Sequence, residues 1–204
     1  MMTIMKLSMP IQEFFAMKVS REQMSANRTR ILDAASTLFR DRGFDAVTVS
    51  EVMKAAGLTH GGFYGHFASK DDLIAQTVTH ALTPSDGVGG DLEAYLDAYL
   101  SPHHRDRAAT GCPTAGLASP LRHQSPEARG AMTKGLHSQI DRLADAMPGA
   151  DAAEKRRAAI GSWAAMVGAV ILARAVDDPA LSDEVLMQTR GWIENSRGKP
   201  ARSQ

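Results

Sequence analysis

Residues 48–74 combine two predicted helix starts, one tight turn and a cluster of polar side chains that can form hydrogen bonds. The cluster consists of Thr59, His60, Tyr64, His66 and Lys70. Hydroxyl, phenol and ammonium groups donate hydrogen bonds, and an imidazole can donate or accept one. Polar side chains placed this densely beside a turn indicate a binding surface more than a hydrophobic core.

Local signals predict how this cluster is positioned. Thr48 and Glu51 form a capping box that starts one helix, and Gly57 suits the left-handed residue that ends it. Thr59 is predicted to cap the next helix, and Ser69 to cap a third. A helix, a glycine-containing turn and a second short helix form a helix-turn-helix, which places its second helix in the major groove of DNA.

The second helix contains Gly61 and Gly62 side by side. Each glycine costs a helix about 1 kcal/mol relative to alanine. The presence of two adjacent glycines in a short helix therefore requires an explanation. Close approach of the backbone to a base edge or a thymine methyl is one such explanation. The alternative is that residues 59–66 form a loop.

The sequence around this unit resembles the DNA-binding domain of the TetR/AcrR family of transcriptional regulators. Matching positions are Thr48, Ala55, Ala56, Gly57, Leu58, Thr59, Gly62, Phe63, Tyr64, His66, Phe67, Ser69, Lys70 and Leu73. Upstream, residues 27–35 with Leu38, Phe39, Gly43 and Phe44 resemble the first helix of that family. The resemblance covers about residues 20–80. Gly65 departs from the pattern, because a helix former is commoner there.

The resemblance implies an all-helical homodimer, usually a repressor, that binds a palindromic operator in double-stranded DNA. A small-molecule effector in the C-terminal domain would release it. By the same resemblance, the residues implied to contact DNA are Arg28, Thr48, Thr59, His60, Gly61, Gly62, Tyr64, His66 and Lys70. Arg30 lies beside Arg28, and Lys18 and Arg21 belong to a preceding arm. Phe63 and Phe67 are predicted to be core residues.

The overall charge does not indicate nucleic-acid binding. The chain has 23 Lys and Arg against 23 Asp and Glu, and residues 1–80 carry nine basic and eight acidic side chains, a net charge of +1. A basic surface is the usual sign of a DNA-binding protein. We therefore expect the few cations to cluster where phosphates lie, with salt-dependent affinity that rests on few contacts.

Composition predicts an all-α chain. The resemblance implies an N-terminal helix-turn-helix domain and a C-terminal helical domain for ligand binding and dimerisation. The expected divisions are a leader or extra segment at 1–16, the DNA-binding domain at 17–82, the second domain at 83–195 and a disordered tail at 196–204. Further helices are predicted at 92–100, 113–121, 128–147, 152–176 and 181–195. One cysteine and the lack of a convincing secretory signal favour a cytoplasmic location. The apolar run 158–173 is too short to predict a membrane span.

The last two predicted helices carry small and apolar residues at helical spacing, which indicates a surface for pairing with a second copy. The predicted interface comprises Gly161, Ala164, Ala165, Gly168, Leu172, Ala175, Leu181, Val185, Thr189 and Trp192. Four helices packed in this way would give the two-fold symmetry that paired half-sites on DNA require. The alternative is that these residues form an intrachain core.

The regulatory site is less defined by the sequence. Residues predicted to line an apolar pocket or to sense an effector are Tyr95, Tyr99, Cys112, Met132, Trp163 and Met166. Cys112 stands at a predicted helix start, where a thiol can be reactive, or it is a small buried residue. Zinc could bind His103, His104, Cys112 and His123, but their spacing matches no compact motif, so we predict neither a metal nor a cofactor.

A ligand-responsive, homodimeric repressor is the function that these observations predict. In this hypothesis the effector moves the helix from about Ser69 to Leu82 and changes the distance between the paired recognition helices. An enzyme is the competing class, but the chain lacks a Gly-x-Ser-x-Gly elbow, a phosphate-binding glycine loop and a His-Glu-x-x-His signature. A dimeric ligand-binding module without DNA binding is the other alternative.

Overall fold

The computed structural model describes residues 21–83 and 91–197. All regular structure in these ranges is helical, which confirms the predicted all-α class. The predicted leader at 1–16, the arm residue Lys18, residues 84–90 of the predicted loop and residues 198–204 of the predicted tail lie outside the described residues.

Nine α-helices and one 3₁₀ helix follow one another in the described ranges. They are α1 (Arg21–Arg42), α2 (Val49–Ala55), the 3₁₀ helix (His60–Gly65), α3 (Lys70–Leu82), α4 (Leu92–Tyr99), α5 (Pro102–Asp106), α6 (Pro113–Leu121), α7 (Pro126–Ala146), α8 (Ala152–Ala175) and α9 (Pro179–Arg197). The predicted bounds of α6 are confirmed, and those of α4 and α8 are confirmed to within one residue at one end.

Helices α7 and α9 begin two residues earlier than predicted, and the residues that cap their N-termini explain the difference. The Ser125 hydroxyl accepts a hydrogen bond from the Ala128 N–H, so α7 begins at Pro126, two residues earlier than predicted. The Asp178 carboxylate accepts from the N–H groups at the start of α9, which begins at Pro179. Proline suits the first helical position because no N–H is needed there. The same Ser-Pro pattern starts α5, which was not predicted.

The predicted caps of the N-terminal unit are present with one exception. Thr48 Oγ1 accepts from the Glu51 N–H at 3.2 Å, and Glu51 Oε2 accepts from the Thr48 N–H at 2.8 Å, which confirms the capping box. Gly57 has the left-handed φ of 70° that its role at the end of α2 requires. Ser69 Oγ accepts from the Asp72 N–H at 3.1 Å. Thr59 makes no side-chain capping bond, so that prediction was wrong.

The second helix of the unit is a 3₁₀ helix and not an α-helix. Its hydrogen bonds run from the Gly62 N–H to the Thr59 carbonyl and from the His66 N–H to the Phe63 carbonyl. Three glycines in six residues explain the difference, because glycine weakens an α-helix and short 3₁₀ turns tolerate it. The alternative of an irregular loop at 59–66 is not what the structure shows.

Two hydrophobic cores organise the chain. The first joins α1, α2, the 3₁₀ helix and α3, and its fully buried phenylalanines are Phe39, Phe44, Phe63 and Phe67. The core positions predicted for Phe63 and Phe67 are therefore confirmed. Leu117 and Leu121 of α6 and Ala128 of α7 belong to the same core. This core therefore extends beyond the first 82 residues of the chain.

The second core lies among α4, α7, α8 and α9. Its buried members include Leu96, Leu143, Met166, Leu186 and Ile193. Helix α7 is the only one of these to reach both cores, because its first turn packs in one and its last turns pack in the other. A side chain at Gly135 would come within 2.6 Å of Leu82, so this glycine lets α7 lie directly against α3.

Helix α8 is the one helix in the described ranges that is long and apolar enough to cross a membrane by length and composition alone. One of its faces, which includes Trp163, Met166 and Val170, is buried in the second core. Apolar composition on that face is what packing against α7 and α9 requires.

Candidate nucleic-acid interface and C-terminal cluster

The 3₁₀ helix presents an exposed polar face above two buried phenylalanines. Phe63 and Phe67 stack with their ring centroids 5.7 Å apart and anchor the segment to the first core. Thr59 and His60 are exposed, and Tyr64 is 73% exposed with its ring edge against Phe63. The anchored rings therefore leave the neighbouring polar groups facing outward on a fixed backbone.

Gly61 and Gly62 are not explained by the packing of this chain. Neither has a positive φ, and both are exposed. A side-chain carbon at Gly61 would meet nothing within 4 Å, and one at Gly62 would make only ordinary contact, 3.7 Å from the Met53 methyl. Since the fold itself would accept alanine at both positions, their bare backbone remains available to an external partner.

The start of α3 brings a lysine side chain together with a helix N-terminus. Lys70 is its first residue, and the preceding cap leaves the helix N-terminus at the surface. Asp72 is occupied within the chain, because its carboxylate accepts from Gln76 at 2.7 Å and from the Ala68 N–H at 2.9 Å. These two hydrogen bonds, that of Gln76 first, lower the pKa of Asp72.

Thr48 is exposed at the start of α2, but its polar groups are engaged. Its hydroxyl donates to Glu51 Oε2 at 2.8 Å, and Arg42 pairs with the other carboxylate oxygen at 3.0 Å. The hydrogen bonds from the Thr48 N–H and hydroxyl, and then that from Arg42, lower the pKa of Glu51 to about 2. A phosphate contact by Thr48 would therefore share its donors with this carboxylate.

Arg28 does not lie free at the surface. Its guanidinium donates to the His66 carbonyl and to the Gln76 side chain, and it sits 4.6 Å from the centroid of the Phe67 ring. This placement makes Arg28 a positioning residue that ties α1 to the end of the 3₁₀ helix. A phosphate contact, as the resemblance implies for Arg28, would require these hydrogen bonds to break.

The other predicted DNA contacts lie around the same surface. Arg21 and Arg30 are exposed on α1, whereas His66 is half-buried at the end of the 3₁₀ helix. Partial burial, and then the positive charge of Arg28, lower the pKa of His66, so its ring is neutral at neutral pH. His66 can then offer a hydrogen bond to a partner but no charge.

The predicted association face lies on the outside of α8 and α9. None of its ten residues is buried: Gly161, Ala164, Leu172, Ala175, Leu181 and Trp192 are exposed, and Ala165, Gly168, Val185 and Thr189 are half-buried. The alternative of an intrachain core is therefore not what the structure shows. Ile160 and Ile171 on α8 and Met187 on α9 are further exposed apolar side chains that were not predicted.

Five of the six residues predicted to sense an effector meet in the second core. The Tyr99 ring lies 5.4 Å from the Trp163 ring and 6.0 Å from the Tyr95 ring, and Cys112 and Met166 belong to the same cluster. Met132 packs instead against the first core. It lies on α7 at a level where that helix faces α3, which sequence spacing did not reveal.

Cys112 is buried where α6 begins. Its N–H donates to His104 Nε2 at 2.9 Å, and His104 Nδ1 in turn lies 2.6 Å from the Tyr99 carbonyl. Burial raises the pKa of Tyr99 well above its ordinary value, and burial raises the pKa of Tyr95 to about 12. Both phenols are therefore neutral donors at neutral pH.

Two arginines that sequence reasoning missed connect this cluster to its surroundings. Arg40 of α1 donates to the Gly111 carbonyl at 2.7 Å, next to Cys112. Arg174 of α8 donates to the carbonyls of His104 and Arg105. Neither arginine lies in a motif, and both of these contacts join residues about 70 positions apart, so no local signal could have identified them.

No group of three or more His, Cys, Asp or Glu side chains suited to hold a metal occurs within the part of the chain that the structure describes. Both ring nitrogens of His104 are engaged in the hydrogen bonds above, and His123 contacts Arg122. The histidines considered as zinc ligands are thus dispersed or occupied.

Known proteins with similar sequences share the N-terminal part of this chain. Residues 31–77 match the family model described as bacterial regulatory proteins of the TetR family. The HTH-type transcriptional repressor KstR2 of Mycolicibacterium smegmatis is 34% identical over 80 residues, which cover 39% of this chain and 38% of KstR2. The uncharacterized HTH-type transcriptional regulator YfiR of Bacillus subtilis is 28% identical over 106 residues, 47% of this chain and 51% of YfiR. The chain thus aligns with about half or less of these curated relatives.

Solved structures resemble the chain over most of its length. The reduced form of E. coli NemR has a TM-score of 0.62 at 23% identity and covers 86% of this chain and 99% of its own. A TetR-family regulator from Agrobacterium tumefaciens has a TM-score of 0.65 at 22% identity, with 84% and 98% covered. At this level of identity the likeness establishes the shared fold.

The N-terminal unit has the geometry of a helix-turn-helix. It consists of the capped helix α2, the left-handed Gly57 and a short exposed 3₁₀ helix. The N-terminal part of the chain is therefore of the TetR/AcrR type, the type of transcriptional regulator that the sequence resemblance indicates. The predicted resemblance to this family is confirmed over residues 31–77.

The capping box should make the stability of the N-terminal unit depend on acid pH. Because the Glu51 pKa is lowered from 4.5 to about 2, its contribution is complete above the ordinary value and is lost as the pH falls towards 2. We expect Glu51→Ala to lower the thermal midpoint at neutral pH, and the difference from wild type to shrink near pH 2.

Asp145→Ala is the matched control, because this exposed carboxylate makes no hydrogen bond within the described residues. Its effect should show no comparable decrease over the same range. A Glu51→Ala difference that stays constant down to pH 2 would contradict the role assigned to the carboxylate.

Proposed function

We propose that the protein is a sequence-specific DNA-binding repressor that binds a palindromic operator as a homodimer and is released by a small-molecule effector. The observation that carries this proposal is the backbone at Gly61 and Gly62, which is exposed, unobstructed and not required to be glycine by the fold. Relatives that share the N-terminal segment are named transcriptional repressors. By this function the protein acts in the cytoplasm.

In this function the 3₁₀ helix enters the major groove. Thr59 and His60 face base edges, and the bare backbone at Gly61 and Gly62 allows close approach to the groove floor. Tyr64 and Lys70 hold the flanking phosphates, the latter with help from the N-terminus of α3. Since few cations take part, operator affinity should fall with salt, but with a shallow slope.

The direct test begins with selection of an operator from a random pool of DNA duplexes, followed by gel-shift titration. We expect Gly61→Ala to weaken operator binding by about tenfold or more, because a methyl group blocks one close approach. The same change should leave thermal stability equal or slightly higher, since alanine favours a helix. Tyr64→Ala and Lys70→Ala should weaken binding by removing phosphate contacts.

Gly130→Ala on α7 is the matched control, because a side chain there also meets nothing within 4 Å. It should preserve operator affinity. Unchanged affinity in Gly61→Ala would overturn the groove geometry proposed here. A folded dimer that selects no sequence even at low salt would favour the alternative of a ligand-binding module without DNA binding.

The outer face of α8 and α9 supports homodimerisation. A groove of about 480 Å³ runs between the two helices and is walled by Gly168, Leu172, Val185 and Trp192 among others. Leu172 and Trp192 are 57% and 56% exposed, a high exposure for large apolar side chains. Small residues on α8 would allow the helices of a second copy to approach closely. A two-fold axis there would pair two recognition helices for two half-sites.

Disruption of this face should separate the dimer and remove operator binding together. We expect the double variant Leu172→Asp and Trp192→Ala to elute as a monomer in size-exclusion chromatography with light scattering, because it places charge in an apolar contact. Met24→Ala, which truncates an exposed methionine on α1, is the control and should remain a dimer. A double variant that stays dimeric would assign dimerisation to another surface.

Two contacts could carry an effector signal from the second core to the DNA-binding unit. Helix α7 packs on α3 where Gly135 meets Leu82, which fits a mechanism in which α3 moves and changes the spacing of the recognition helices. Arg40 provides a second connection, because it joins α1 to Gly111 beside the cluster. A shift from mostly bound to mostly free requires several kcal/mol of differential effector affinity.

The Arg40 connection can be tested in a reporter strain whose promoter carries the selected operator. We expect Arg40→Met to preserve repression but to reduce induction by compounds that act on the wild type, because the hydrogen bond to Gly111 is lost. Arg129→Met on the exposed side of α7 is the control. Full induction of Arg40→Met would leave α3 as the path for the signal.

Covalent modification of Cys112 is the second candidate mode of effector sensing. The thiol stands at the start of α6, next to Gly111, whose carbonyl accepts a hydrogen bond from Arg40. The Cys112 side chain is buried, with 8% exposure, which limits access. Cys112→Ser in the same reporter strain separates the two modes, because only covalent sensing requires the sulfur.

A further inference from the structure

A cleft opens beside the aromatic cluster, between α4, α5 and the turn that precedes α6. Its volume is about 390 Å³, within the usual range for small-molecule sites. Tyr95 and Tyr99 form an aromatic wall, His103 and Arg107 stand at one side, and Gly111 lies at the base. A side chain at Gly111 would clash with the Arg107 carbonyl at 2.9 Å, so the base is closely packed and fixed.

Arg107 gives this cleft an unneutralised positive charge. Its only recorded partner in the described ranges is His103 Nε2, 3.1 Å from the guanidinium. The neighbouring arginines differ, because Arg105 pairs with Asp106 and Asp183, and Arg174 binds backbone carbonyls. No acidic side chain occurs among the described residues that line the cleft. An exposed cation without a carboxylate favours an anionic ligand.

His104 also lines the cleft, but its ring is already engaged within the chain. His104 uses both ring nitrogens internally, so it offers the cleft no free acceptor. The Tyr99 ring lines the cleft, and Trp163 is buried behind it with the two ring centroids 5.4 Å apart. The cleft therefore offers a ligand an aromatic wall and the guanidinium of Arg107.

We propose that the cleft binds a small organic anion with a flat apolar body, whose oxyanion group pairs with Arg107 and whose ring packs against Tyr95 and Tyr99. This ligand class is the effector class if the proposed repressor function holds, and the inference rests on that function only for its regulatory meaning. Displacement of His103 from Arg107 frees the guanidinium for two parallel hydrogen bonds to the oxyanion.

The test compares three probes by isothermal titration calorimetry on the full chain. The probes are 2-naphthoate, the uncharged 2-naphthamide of the same shape, and acetate, which has the charge without the ring. Wild-type protein should bind 2-naphthoate about tenfold or more tightly than 2-naphthamide, and acetate weakly. Arg107→Gln should remove the preference for the acid while still binding both ring compounds.

Arg122→Gln is the matched control, because this exposed arginine lies at the end of α6 away from the cleft and contacts His123. It should keep the wild-type preference, and circular dichroism should show both variants folded. Equal binding of acid and amide by the wild type, an unchanged preference in Arg107→Gln, or no binding of either ring compound would each overturn the inference.

The outcome is separable from that of the proposed function, because operator binding is measured without any probe. Specific operator binding with no naphthoate binding would reject the ligand class alone. Arg107-dependent naphthoate binding in a protein that selects no DNA sequence would support the site and reject the repressor. If both hold, release of operator by 2-naphthoate but not by 2-naphthamide links them.

Discussion

The position of the 3₁₀ helix depends on two buried phenylalanine rings. A segment of six residues with three glycines cannot hold a helical conformation by its own hydrogen bonds, because each glycine adds conformational entropy to the unfolded chain. Phe63 and Phe67 supply the missing free energy by burial in the first core, and Arg28 closes over Phe67 from α1. The exposed side chains of this segment, such as Tyr64, hold their positions because the buried rings of Phe63 and Phe67 fix the backbone.

The same core connects the 3₁₀ helix to the rest of the chain. Helices α6 and α7 contribute Leu117, Leu121 and Ala128 to it, so the first core cannot rearrange without moving parts of the C-terminal domain. Interiors are close-packed and transmit displacements. The contacts at Gly135 and Arg40 lie at two separate places on this shared boundary. Within the described ranges, the N-terminal unit and helices α6 and α7 therefore share the side chains of one core.

The C-terminal half has two surface features, a groove on α8 and α9 and a cleft beside α4 and α5, which differ in polarity and charge. The outer face of α8 and α9 is apolar and shallow, which suits another helical surface, and it includes the exposed side chains of Leu172 and Trp192. The cleft beside α4 and α5 is aromatic and positively charged, which suits a small ligand. Helix α8 serves both regions, because Trp163 and Met166 face inward while Leu172 faces outward.

Local sequence determined the features that depend on a few neighbouring residues. The capping box at Thr48, the left-handed Gly57, the start at Ser69 and most helix bounds follow from side-chain and backbone preferences within one turn. The pattern of matched residues along α1 to α3 was likewise enough to identify the family. Helical spacing also predicted which residues of α8 and α9 lie on the outer face of these helices.

Tertiary structure decided the features that depend on distant partners. The 3₁₀ form of residues 60–65, the engagement of Arg28 by His66 and Gln76, and the placement of Met132 against the first core all follow from packing between separate elements. The link from Arg40 to Gly111 and the unneutralised Arg107 have no local signature for the same reason. A sequence pattern records which groups a segment offers, whereas only the folded chain determines which of them are already satisfied and which remain for a partner.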